Sequence, residues 1–130
     1  MFIIFDPGEH GVFYVSDGAV WERMQHELDR AGELLEVFVR LLNSRMRSLS
    51  DVSGLGVISG RGTFTATRVS ITLANTLAFA HNIPVIAFSN LPDPTLVSAL
   101  FAAHKTHLYI QAQYSAEPRI HIKKLSEYAL

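Results

Sequence analysis

The sequence contains no cysteine, which excludes disulfide bonding and thiol catalysis. It has no apolar run approaching the ~20 residues that a membrane-spanning helix needs. No stretch of Lys or Arg exceeds two residues, and the formal net charge is −1. Strong independent binding to tRNA or DNA is not expected from such a chain, because phosphate contacts dominate that affinity. The first residues, Met1-Phe2-Ile3-Ile4-Phe5, show neither a basic leader nor a cleavage site. They do not read as a signal peptide, and a cytoplasmic location is the default expectation.

Against these absences stands an excess of apolar residues. Hydrophobic residues make up 48% of the 130 and charged residues only 18%. A chain of this length is expected to form one domain with a respectable core. Its apolar balance leans toward an oligomer or a permanent partner.

Phe2 to Phe5 is a continuous apolar run, fit for a strand in the middle of a sheet. Asp6-Pro7-Gly8-Glu9-His10-Gly11 turns the chain, and Val12 to Val15 is a second strand. Ser16-Asp17-Gly18 reads as a hairpin turn, and Ala19 to Met24 as a third strand with Trp21 as its bulky member. A helix follows over about Asp29 to Arg47. On a helical wheel Leu34, Leu35, Val37, Phe38, Val39, Leu41, Leu42, Met46 and Leu49 fill an arc of roughly 200°, where one sheet needs about 100°. The excess predicts contact with a second helix or subunit. Arg45 falls inside the apolar arc without an evident reason.

Leu55 to Ser59 reads as a buried strand. Gly60 and Gly62 then permit a sharp turn, with positive φ expected at one of them. Thr63 or Thr65 can cap the next helix. That helix should run from about Phe64 to His81, with Asn82, Ile83 and Pro84 stopping it before a strand at Val85 to Phe88. Its apolar residues are spread around the wheel, which predicts burial on several sides. Pro92-Asp93-Pro94 opens a third helix ending near His104. His107 to Tyr114 and Arg119 to Lys124 read as a hairpin around Ser115-Ala116-Glu117-Pro118.

The glycine stretch carries a resemblance. Gly60-x-Gly62-Thr63-Phe64-Thr65-Ala66-x-Arg68 is similar to the Gly-Pro-Gly-Ser-Phe-Thr-Gly-x-Arg signature of the TsaB (YeaZ) family. The similarity continues through Ala74, Leu77-Ala78, Ile83-Pro84-Val85 and Ser89-x-Leu91, and extends more faintly back to Met1. The resemblance implies an α/β fold, the first lobe of the actin and sugar-kinase (ASKHA) architecture. Its mixed sheet follows the order βββαβαβα, here with a C-terminal hairpin. Residues 1–104 would form that lobe, and residues 105–130 the hairpin, a vestige of the second lobe. It also implies a partner of TsaD-type enzymes in making threonylcarbamoyladenosine in tRNA. The chain departs from the family at Arg30, where His is frequent, and at Ala66, Ser70 and Thr76, where Gly is common. Small residues let helices approach closely, so the added side chains would widen a helix crossing with a partner.

The site residues follow from the two long helices. Leu34, Phe38, Leu42, Val69, Leu73 and Leu77 are expected to serve packing and partner contact. Phe64 and Arg68, with Gly60, Gly62, Thr63 and Thr65, would fix the loop–helix junction. The Asp6-x-Gly8 turn resembles the phosphate-contacting turn of actin-like ATPases, and the glycine loop can present free N–H groups to an anion. No Gly-Lys-Ser/Thr ending is present, so the phosphate-loop signal is weak. His104 and His107 are three apart and His121 could approach them, but zinc wants about four ligands, and no metal is expected. Thr65 and Ser89 are hydroxyls without a recognised base, so hydrolysis is not expected. The leading expectation is therefore a non-catalytic partner of a TsaD-type protein, with no cofactor of its own and ATP only in a completed complex. A homodimeric module without a tRNA role, and a nucleotide half-site at Asp6–Gly8 and Gly60–Gly62 completed by dimerisation, are the alternatives.

Overall fold

The computed structural model describes residues 1–9, 11–26, 33–106 and 108–111. Five strands and three α-helices follow one another as β1 (Phe2–Asp6), β2 (Val12–Ser16), β3 (Glu22–Gln25), α1 (Leu34–Ser44), β4 (Gly54–Ile58), α2 (Phe64–His81), β5 (Val85–Phe88) and α3 (Pro94–Ala103). The expected order is observed. The sheet runs β3-β2-β1-β4-β5. The first three strands pair antiparallel, and β1, β4 and β5 are parallel. This is an α/β architecture of the ASKHA kind. No helix among the described residues is long and apolar enough to cross a membrane.

Alternation along the strands divides their side chains between two layers. Ile3, Phe5, Phe13, Val15, Leu55, Val57 and Val85 join the main core with α1 and α2. Phe5 meets the rings of Phe13 and Phe38 at centroid distances of 5.1 and 5.7 Å. A smaller cluster is built from Phe2, Val97 and Phe101, with Trp21, Ile86 and Phe88 against it. There Gly54 has no side chain because none fits: a Cβ would stand 2.5 Å from the Phe101 ring. Phe101 in turn stacks on Phe2 at 5.6 Å.

Three expectations need correction. The third strand begins at Glu22, not Ala19, so the connection after β2 is wider than a two-residue hairpin. Trp21 stands outside the strand because its Nε1–H donates to the Pro92 carbonyl at 2.6 Å. Helix α1 is shorter at its C-terminus than its apolar pattern. Arg47 N–H reaches back to Leu42 O at 2.9 Å, and Met46 takes a left-handed φ of 53°. This αL-type ending satisfies carbonyls of the last turn. It also explains Arg45, which lies past the helix and pairs with Glu22 on β3. Met46 is 94% exposed rather than part of an apolar face. Finally, α2 buries one side only, through Thr67, Ser70, Ile71, Ala74, Leu77 and Ala78, while Phe79 is 70% exposed. Residues 29–32, with Arg30, and residues 112–130, with most of the expected hairpin, lie outside the described residues; 108–111 have no regular secondary structure.

Candidate functional site

Two features meet at the start of α2. The first is the pair of turns that follow β1 and β4. Gly60 and Gly62 have φ of +84° and +107°, angles that disfavour any side chain. Gly62 also makes a close approach, since a Cβ there would come within 2.6 Å of the Pro7 carbonyl carbon. Across the same junction a Cβ on Gly8 would stand 3.0 Å from Arg61 Cβ. The turns at Asp6–Gly8 and Gly60–Gly62, far apart in sequence, are therefore packed backbone against backbone.

Asp6 is turned into this junction. Its carboxylate is 2% exposed, Oδ1 accepts from Gly8 N–H at 2.9 Å, and Oδ2 lies 3.8 Å from the Arg61 guanidinium. The carboxylate is thus engaged within the chain, and Gly62 is packed on Pro7.

The loop delivers the chain into α2 with a cap. Thr63 has extended backbone angles, and its Oγ1 accepts from Ala66 N–H at 3.1 Å, satisfying one of the donors that a helix start leaves unpaired. Thr65 does not cap. It is exposed, as is Ser89, and among the described residues neither hydroxyl is hydrogen-bonded to a histidine or a carboxylate. The Arg68 guanidinium lies over the Phe64 ring, 5.5 Å from its centroid, a cation–π contact that holds the first helical turn. Phe64 and Arg68 thus stand together at the junction.

The second feature is a groove of about 370 Å³ along α1 and α2. Leu35, Val69 and Leu73 supply its apolar lining, Phe64 and Arg68 close one end, and Thr65, Thr72 and Thr76 fill out its wall. The residues expected to make partner contact divide between this groove and the core. Val69 and Leu73 line the groove. Leu34, Phe38, Leu42 and Leu77 point the other way and are buried in the chain's own core. Leu35, which the helical wheel placed in the same arc as Leu34, is the α1 residue left open: it is 49% exposed against 7% for Leu34. The wheel could not separate them because their arc was wider than the face that the sheet covers. Of the positions where added side chains were expected to widen a crossing, Thr76 does line the groove, but Ser70 is buried.

No family model matches the chain. It is 34% identical over 77 residues to the tRNA threonylcarbamoyladenosine biosynthesis protein TsaB of Bacillus subtilis (strain 168), a match covering 53% of this chain and 34% of that protein. Its fold superposes on YeaZ from Pseudomonas aeruginosa with a TM-score of 0.57 and 26% identity, covering 69% of this chain and 45% of that one. A second structure, an uncharacterized protein with similarity to peptidase YEAZ from Pseudomonas aeruginosa, matches with a TM-score of 0.54, 26% identity, 69% of this chain and 43% of that one. In local sequence and in fold the chain is thus similar to the TsaB/YeaZ proteins, and it spans less than half the length of those it matches.

Proposed function

We propose that this chain is a non-catalytic partner protein in tRNA threonylcarbamoyladenosine formation, offering the α1–α2 groove to a TsaD-type enzyme. The observation that carries this reading is the groove itself. Two long helices pack on the sheet through one side each and leave Leu35, Val69 and Leu73 together at the surface. The named activity of the Bacillus subtilis relative supplies the pathway. The junction then has a structural role. It aims α2, and the ion pair between Asp6 and Arg61 keeps the two turns closed without a nucleotide.

A self-associating module is the second reading. Both helices give the groove apolar residues, Leu35 from α1 and Val69 and Leu73 from α2, so a two-fold axis across it would bring like residues together, as symmetric dimers require. One substitution pair tests both readings. Leu35→Asp puts a charge in the groove while leaving the core intact, so the variant is expected to fold with unchanged circular dichroism. It should lose capture of the TsaD-type protein from the same organism, and any self-association seen by light scattering. Leu34→Asp, one residue away, should fail to fold. Full capture by folded Leu35→Asp would overturn the groove as the docking face. A purified chain that is monomeric at high concentration while still capturing the enzyme would remove the second reading.

A further inference from the structure

Two buried hydroxyls beside the main core have no hydrogen-bond partner among the described residues. Thr67 is fully buried, and its Oγ1 is unpaired. Ser59 is 8% exposed, and its Oγ is unpaired as well. A helical threonine can return its hydroxyl to the carbonyl four residues earlier. Here that carbonyl, Thr63 O, accepts from Thr67 N–H at 3.0 Å, and the hydroxyl stays unbonded. A hydroxyl buried without a partner is costly, since it has given up its bonds to water. Native interiors rarely keep one.

Backbone pairing puts the two hydroxyls on facing surfaces. Leu55 N–H donates to Pro84 O at 3.0 Å, and Ser59 N–H donates to Phe88 O at 2.7 Å. The ladder between β4 and β5 thus continues past Ile58, and Ser59 keeps the alternation of the strand. Its side chain leaves the sheet on the same face as Leu55 and Val57, which pack in the core with α2. Thr67 belongs to the inward stripe of α2, with Ile71, Ala74 and Ala78 after it. The helix begins five residues after Ser59 and runs back over the strand. Thr67 is therefore its first buried residue over the end of β4. Both side chains are short and end in an oxygen, where the levels below are closed by Leu55, Val57 and Ile71. A single water suits that chemistry. It can bond to both hydroxyls at once, and a buried water needs about 2–4 polar partners. A charged occupant is disfavoured, because both hydroxyls are neutral and the neighbouring core is apolar.

We propose that one internal water bridges Ser59 Oγ and Thr67 Oγ1 and ties the end of β4 to the start of α2. It helps to fix the tilt of the helix that carries the groove. The site rests on the two hydroxyls and not on the docking role of that groove. A high-resolution crystal structure of the wild-type chain is expected to show one ordered water within hydrogen-bond distance of both oxygens. In Ser59→Ala/Thr67→Val that density should be gone. Urea unfolding reads the same link. Each single variant should lower the midpoint, and the double variant should lower it by clearly less than the two losses added. A direct Ser59–Thr67 hydrogen bond, or no density between the two oxygens, would overturn the proposal. So would a midpoint that rises in Thr67→Val, the mark of a hydroxyl that had no partner to lose. Losses that simply add would also overturn it, for then the two hydroxyls are bonded separately.

Discussion

The two helices on the main face of the sheet are built differently. α1 is sharply amphipathic: Leu34, Val37, Phe38, Leu41 and Leu42 enter the core, and Glu36, Arg40 and Asn43 face water. α2 does the reverse with size. It sends mostly small or polar residues inward, including Thr67, Ser70, Ala74 and Ala78, and leaves Phe64, Val69, Leu73 and Phe79 partly or largely outside. Small residues let α2 lie close on β4 and β5, so its larger side chains are left at the surface, where Phe64, Val69 and Leu73 line the groove. The comparison teaches that α1 is chiefly a core element, whereas α2 is a surface element held to the core by its narrow side.

That contrast can be broken most directly with two phenylalanines. Phe38→Ala, in the centre of the core, is expected to cost about 3–5 kcal/mol, as for other large buried side chains. Phe79→Ala should stay within about 0.5 kcal/mol, as for a surface site. Urea unfolding of both variants decides it. Equal losses would mean that α2 is anchored by its outer face. The next largest effect concerns how α2 is aimed. Gly60→Val should cost about 1–3 kcal/mol through its left-handed backbone alone. Gly62→Val should cost more, because its Cβ also meets the Pro7 backbone. If the two variants unfold at the same urea concentration, the close approach of the two turns carries no weight.

The smallest effect separates helices by their caps. Asp93 accepts from the Thr95 hydroxyl and Thr95 N–H at the start of α3, which holds its carboxyl below the usual range. Asp51 is lowered likewise, first by Ser48 N–H, in the 3₁₀ turn at Leu49–Asp51. A lowered folded pKa means that the stabilisation is complete above the ordinary carboxylate value and is lost as pH falls through the lowered one. Both groups are exposed, so the effect is small. The cap of α2 is the Thr63 hydroxyl, which does not titrate there. Acid below the ordinary carboxylate range should therefore lower amide protection factors at the start of α3 before the start of α2. Simultaneous loosening of both would contradict the assignment.

Local chemistry was enough to place much of this chain. A threonine cap at 63 or 65, positive φ at the glycine turn, the span Phe64–His81 and the strand Val85–Phe88 depend on residues within a turn or two of each other. The sequence alone therefore determined them, and its glycine signature pointed to the relatives that comparison then found. Strand three and the end of α1 were not legible in the same way. Trp21 leaves the strand pattern to reach Pro92, 71 positions away, and Arg45 is explained only by Glu22 on β3. The candidate site shows the same division. A wheel counts apolar residues but cannot tell which of them the sheet will cover, so Leu34 and Leu35 were equivalent until α1 met the core. The approach of Gly62 to Pro7, the pairing of the inward Asp6 with Arg61 and the two hydrogen bonds between the Asn75 side chain and the Ile110 backbone all join residues far apart in sequence. Only tertiary structure could decide them, because each depends on the distance between two surfaces, and neither surface exists until the chain has folded.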